Sequence, residues 1–294
     1  MLEGSMVALI TPLKNDSIDE RALRRLVRRQ EDNGTDVLVP CGTTGESATL
    51  TYEEHKNVIE IVVDEADECS VMPGTGSNST HEAIELSEHA NEVGCDTVLV
   101  ISPYYNCPEQ HGMINHYETL ANSVEVNIVL YNVPGRTGVN IDAETVIELA
   151  EHPYIVGVKE ASGDLEQISK ICSETPEDFA VLSGDDAMTL PLMAVGGSGV
   201  ISVLANLVPS KVNDLVTAWH KGEPSRARQH HQELLPLMEA MFWETNPIPV
   251  KAGAAMLDLC ESEIRSPMTK LSQEYREPLA DELENIGLTV NEYE

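Results

Sequence analysis

Asn127-Ile-Val-Leu-Tyr-Asn-Val-Pro-Gly-Arg-Thr-Gly138, followed by Tyr154-Ile-Val-Gly-Val-Lys-Glu-Ala-Ser162, decides how this chain is read. Each stretch opens on a short apolar run and closes on a functional side chain near glycine. Such runs read as strands buried on both faces of a parallel sheet. One strand ending in Tyr131 and the next ending in Lys159 would place a phenol and an amine at one rim. An ammonium held among apolar side chains forfeits its hydration, which favours the neutral, nucleophilic amine. That is how a lysine is prepared to condense with a carbonyl, so the pair points to Schiff-base chemistry.

Outward from this pair, short β-branched runs recur at intervals of mostly 25 to 35 residues: Val7–Ile10, Val37–Val39, Val71–Pro73, Thr97–Ile101, Asn127–Tyr131, Ile155–Lys159, Ala180–Leu182 and Gly199–Val203. Helical patterns lie between them, at Ile18–Asn33, Thr51–Glu65, His81–Val93, Gly112–Ser123, Asp142–Glu151 and Leu165–Ser173. The near-even alternation predicts an α/β fold, a (β/α)8 TIM barrel, over a doubly wound open sheet. Beyond Val203 only helical patterns remain, at Pro209–Lys221, Ser225–Thr245, Pro249–Leu259 and Gln273–Glu284. The expected organisation is a catalytic barrel over residues 1–222 and a C-terminal helical extension over 223–294.

The 294 residues include 50 acidic and 18 basic ones, for a formal charge of -32. The acids are spread along the whole chain, and lysine is scarce. Such a field repels nucleic acid and anionic membrane, so neither is expected as a partner. It fits a surface made for concentrated salt, where screening shortens repulsion to a few Å. A halophilic protein is the expectation. The six cysteines form no CxxC or metal-finger spacing, which suits a reduced interior. The N-terminal apolar run is too short for a signal peptide, and no segment is long enough to span a membrane. Together these features predict a cytoplasmic location.

Active sites of such barrels sit at the C-terminal ends of the strands. Read in order, those ends supply Thr11-Pro12, Gly42-Thr-Thr-Gly-Glu46, Gly74-Thr-Gly76, Ser102-Pro-Tyr-Tyr105, Tyr131, Lys159, Ser183-Gly-Asp-Asp186 and Ser202. This rim is rich in hydroxyls and glycines and offers no cluster suited to a metal, so none is expected. Lys251 also sits among apolar residues, but it falls after the eight strands, where a structural role is expected. Glu160 could pair with Lys159, yet strand alternation points it to the opposite face. The Gly42–Glu46 loop lacks the lysine of a Walker loop; its donors suit a small carboxylate instead. Arg21, Arg24, Arg25, Arg28 and Arg29 read as a solvated helix face paired with acids. Asp185-Asp186 reads equally well as a turn or a metal ligand.

With Gly42-Thr-Thr-Gly-Glu-Ser47, Tyr131–Gly138, Gly157-Val-Lys-Glu-Ala161 and Asn246-Pro-Ile-Pro-Val-Lys251 in order, the chain resembles the dihydrodipicolinate synthase family. That family lies within the N-acetylneuraminate lyase and class I aldolase superfamily. The likeness runs from about Gly4 to Leu288. It implies condensation of pyruvate with L-aspartate 4-semialdehyde, in lysine and diaminopimelate biosynthesis, by a lyase without metal or organic cofactor. It also implies a homotetramer built as a dimer of dimers. Lys159 would form the Schiff base. Tyr131 would move protons through Thr43 and through Tyr105 of a neighbouring subunit. The implied substrate-binding set is Thr44, Ile201 and Gly184 with Arg136, whose planar fork matches a carboxylate. Relatives acting on sugar acids usually lack this arginine, which favours the synthase over a 2-keto-3-deoxy sugar-acid aldolase. Retention of the whole relay argues against a silent keto-acid sensor. Ala48, His55, Asn78, Glu82 and Tyr104 match a lysine-inhibitor site, but Tyr52 stands where lysine-inhibited members often carry histidine.

Overall fold

The computed structural model describes residues 2–291. Eight parallel strands form one sheet: β1 (Gly4–Ala8), β2 (Val37–Val39), β3 (Ser70–Val71), β4 (Thr97–Ile101), β5 (Asn127–Asn132), β6 (Ile155–Glu160), β7 (Ala180–Ser183) and β8 (Gly199–Ser202). Their order is β3-β2-β1-β8-β7-β6-β5-β4. The two outer strands meet through a single bridge, Gly74 to Leu99. There Thr75 N donates to Leu99 O at 3.0 Å and Leu99 N to Pro73 O at 2.9 Å. The sheet is therefore a barrel, nearly closed, with its weakest seam between β3 and β4.

Alternation along the strands sorts the apolar residues into two layers. Met6, Ala8, Val37, Val39, Leu99, Val129, Tyr131, Leu182 and Ile201 share the cluster inside the barrel. Val7, Leu38, Val98, Val100, Leu130, Val158, Val181 and Val200 join the cluster beneath the helices. Both faces of each strand are thus buried, which explains why the strands read as continuous apolar runs.

Some boundaries move from their expected places. β1 starts at Gly4 rather than Val7, because its ladder with β8 opens at the Gly4–Gly199 rung. Leu9 and Ile10 are buried beyond it. The first helix spans Glu20–Asp32; Ile18 is taken by a small antiparallel hairpin, and Asp19 accepts from Ala22 N to cap the helix. The helix expected over Ser225–Thr245 runs Pro224–Ala240, and the chain then turns toward the barrel rim. A short helix at Pro134–Thr137 and another at Thr189–Ala194 carry no long apolar period and escape a sequence reading. On the arginine face, Arg24 pairs with Glu20, Asp64 and Glu65, and Arg28 with Glu65. Arg29 differs: it donates to the carbonyls of Asn206 and Leu207, at 3.0 and 2.7 Å.

The C-terminal segment is bound to the barrel by charge as well as by apolar contact. Arg265 forks onto Glu54 at 2.7 and 2.6 Å, and donates to the carbonyls of Thr49 and Asp16. The guanidinium lowers the Glu54 carboxyl from 4.5 to about 2. Because the folded value lies below the ordinary one, this contribution is complete above pH 4.5 and vanishes as pH falls through about 2. Urea titrations should accordingly show Glu54→Gln less stable than the parent chain near neutrality, the gap closing below pH 4.5. A gap independent of pH would show that the ion pair is not its source.

Candidate active site

The ladder between β5 and β6 sets Tyr131 opposite Lys159 and Asn132 opposite Glu160. Alternation then turns the first pair inward. Lys159 is 5% exposed, and its Nζ lies 4.4 Å from the centroid of the Tyr131 ring. Among the described residues no carboxylate lies within ion-pair distance of this amine. Glu160 faces the helices instead, where its carboxylate accepts from Asn132, Gln167 and the backbone of Ser162.

The Gly42–Glu46 loop follows β2. Thr44 is buried, and its Oγ1 accepts from Asn246 Nδ2 at 3.0 Å. Glu46, in the left-handed region at φ 58, closes the loop. Its carboxylate pairs with Lys251 and accepts from Arg265 N at 3.0 Å. Lys251 Nζ also reaches Thr11 O at 3.1 Å, so this second buried lysine is occupied in holding the loop. Arg136 stands on the short helix after β5, exposed, with Nη2 donating to Asn246 O at 3.0 Å. Asn246 therefore touches both Thr44 and Arg136. The sequence reading quoted it in a motif but assigned it no role.

Gly184 follows β7 and lies against Lys159. A Cβ there would sit 3.0 Å from Lys159 Cε and 2.7 Å from the Ala161 methyl. Ile201 is fully buried on β8, paired with Met6. Asp186 is no metal ligand: its oxygens accept from Ser202 Oγ and from the amides of Val203 and Leu204, and burial pushes its pKa up. Asp185 accepts from Ala187 N. Tyr105, at φ 69, is 88% exposed and turns away from its own barrel.

A cavity of about 310 Å³ opens beside this rim, with Thr43 and Arg136 on its wall. Ala48, His55, Glu82 and Tyr104 also line it, whereas Asn78 stands behind Ser77, whose Oγ approaches its Oδ1 at 3.4 Å. Lys159 and Tyr131 are not on its wall. His55 donates from Nε2 to Gly74 O at 2.8 Å, and burial lowers its pKa. Tyr52 donates to Glu82 O at 3.1 Å; burial and two acids raise its phenol to about 12.

The profile of the dihydrodipicolinate synthetase family matches residues 1–286. The chain belongs to this family. It is 51% identical over 274 residues to the 4-hydroxy-tetrahydrodipicolinate synthase of Citrifermentans bemidjiense, covering 93% of this chain and 94% of the relative. The dihydrodipicolinate synthase structure from Aquifex aeolicus superposes with a TM-score of 0.97 at 46% identity, covering 99% of this chain and all of that one. A family structure from Cyanidioschyzon merolae with lysine bound gives 0.95 at 39% identity, covering 97% and 98%. Membership agrees with the barrel architecture and its C-terminal helices.

The approach of Gly184 to Lys159 generates a test. Gly184→Ala brings a methyl to 3.0 Å from Lys159 Cε and 2.7 Å from the Ala161 methyl, so these neighbours must give by a few tenths of an ångström. A full ~1 Å misplacement of a reacting group costs on the order of 100-fold in rate. The variant should keep its circular dichroism and lose part of its turnover, by less than that factor. Unchanged turnover would show that Lys159 can be displaced without consequence.

Proposed function

We propose that this chain condenses pyruvate with L-aspartate 4-semialdehyde to give 4-hydroxy-tetrahydrodipicolinate, in lysine and diaminopimelate biosynthesis. The observation that carries the proposal is Lys159, a buried amine across the ladder from Tyr131, at the active end of a barrel of this family. Lys159 attacks the pyruvate ketone, and loss of water leaves an iminium. This electron sink lets the methyl group release a proton, and the resulting enamine attacks the aldehyde carbon, whose oxygen takes a proton to become the hydroxyl. The amine of the semialdehyde then attacks the iminium carbon, closing the ring and expelling the Lys159 amine. Tyr131, Thr43 and Tyr105 pass the protons, since a lone phenol with a free pKa near ~10 is a poor base. Thr44, Ile201 and Gly184 seat the pyruvate. Arg136, which has no ion-pair partner among the described residues, takes the carboxylate of the semialdehyde.

The outward Tyr105 supports an assembly in which this ring completes a neighbour's relay, a homotetramer built as a dimer of dimers. The cavity bearing Ala48, His55, Glu82 and Tyr104, with Asn78 behind it, is the lysine-inhibitor site in this reading. The division into a barrel (1–222) and a helical unit (223–294) belongs to the same proposal; residue 1 and residues 292–294 lie outside the described residues. At the boundary Gly222, with φ 73, turns the chain between helices.

Borohydride reduction in the presence of pyruvate should add one pyruvate-derived mass to the peptide holding Lys159. Labelling elsewhere, or none, would end the mechanism. Arg136→Ala should leave that trapping intact and raise the apparent KM for the semialdehyde about 10- to 100-fold, the scale of a lost charged hydrogen bond.

The charge of -32 completes the proposal with a cytoplasmic, salt-adapted enzyme. The Debye length is about 10 Å at ~0.1 M salt and about 3 Å at ~1 M, so repulsion between acidic subunits fades across that range. Sedimentation and activity in a KCl series should show tetramer and turnover rising toward ~1 M, with sucrose failing to substitute. Full activity of an intact tetramer at low ionic strength would refute the salt adaptation while leaving the reaction untouched.

A further inference from the structure

Behind the Tyr131–Lys159 pair, on the outer face of the same two strands, lies a polar cluster that the chemistry above does not use. Asn132 and Glu160 occupy the next rung of the ladder and are 0% and 1% exposed. Asn132 Nδ2 donates to both Glu160 oxygens, at 3.1 and 3.0 Å, and to Asn140 Oδ1 at 2.8 Å. Asn132 Oδ1 accepts from Ile141 N at 3.0 Å. The Glu160 carboxylate also accepts from Ser162 N at 2.7 Å and from Gln167 Nε2 at 3.0 Å. Asn140 Nδ2 closes the circuit onto Gln167 Oε1 at 2.8 Å.

Three features single out this cluster. Every partner of Glu160 is an N–H donor, so both its oxygens act only as acceptors, and no cation pairs with it among the described residues. A buried carboxylate held by donors alone is costly unless each donor is in place, so the cluster tolerates one arrangement of its members. It also sits at the last rung of the β5–β6 ladder, where Ala161 N still donates to Asn132 O at 2.9 Å, so side chains and backbone join the strand ends together. Finally, strict alternation couples the faces: whatever locks Asn132 against Glu160 locks Tyr131 against Lys159.

We propose that Asn132 and Glu160 form a clamp, a pair of positioning residues that holds the phenol and the amine in register for iminium chemistry. The inference rests on the reading of Lys159 as the Schiff-base lysine. Neither residue touches substrate; both act through the strand ends they join, where reacting groups must be held to a fraction of an ångström. Glu160→Gln preserves shape but brings an amide against the donors of Asn132, Gln167 and Ser162. Asn132→Asp combined with Glu160→Gln reverses donor and acceptor across the rung and restores a hydrogen bond.

The experiment measures borohydride trapping of pyruvate, turnover and KM in the full chain, alongside thermal midpoints. The parent chain must label at Lys159; if it does not, the reading of the reaction fails and the clamp has nothing to position. Given labelling, Glu160→Gln should lower kcat by at least ~10-fold with KM for pyruvate changed less than ~3-fold, and the double variant should recover most of the loss. If Glu160→Gln does not fold, Gln167→Met, which removes one donor to Glu160 and one acceptor of Asn140 at the edge of the cluster, should lower kcat several-fold at an unchanged midpoint. Folded Glu160→Gln with kcat within ~2-fold of the parent, a double variant no better than the single ones, or an inert Gln167→Met would each overturn the proposal.

Discussion

The register between β5 and β6 is the constraint on which the rest of the site depends. A parallel ladder fixes which residues face each other, and a slip of one position turns every side chain to the other face. Here one register brings Tyr131 to Lys159 inside the barrel and Asn132 to Glu160 outside it. The amine is thereby kept from the acid next to it in sequence. Lys159 then has an aromatic face at 4.4 Å as its near neighbour, rather than a carboxylate.

The second buried lysine shows how environment separates two similar sequences. Lys251 and Lys159 both sit among apolar residues, but Lys251 meets Glu46 and the Thr11 carbonyl. A buried ion pair of this kind does little for net stability, although breaking one side leaves an uncompensated charge. Its effect is geometric: it ties the loop bearing Thr43 and Thr44 to the C-terminal helices. Arg265 repeats the tie through Glu46 and Glu54, and Asn246 through Thr44 and Arg136. The helices after the barrel are therefore part of the site's scaffold.

The fold was legible because parallel strands buried on both faces leave apolar runs, and eight of them at near-even spacing admit few architectures. β3 was the faintest, with only Ser70 and Val71 in the ladder. Lys159 and Tyr131 were legible because each ends such a run beside glycine. Asn246 and the Asn132–Glu160 rung were not, since a polar residue in a turn or at a strand end looks the same in sequence whether it meets solvent or a buried partner. Arg29 misled for a related reason: its spacing matched the acid-paired arginines, yet its partners are backbone carbonyls, which carry no sequence signal.

The seam between β3 and β4 has a mechanical consequence. The strands bearing Tyr131 and Lys159 share a long ladder, whereas the barrel's two outer edges are held by one bridge at Gly74 and Leu99 among the described residues. Opening of the cylinder would break the fewest hydrogen bonds there. The cavity beside the active rim opens above that seam, with Gly76 and Ser77 on one lip and Ile101 and Tyr104 on the other. A group filling that cavity would touch both edges of the barrel at once, with Thr43 on the same wall.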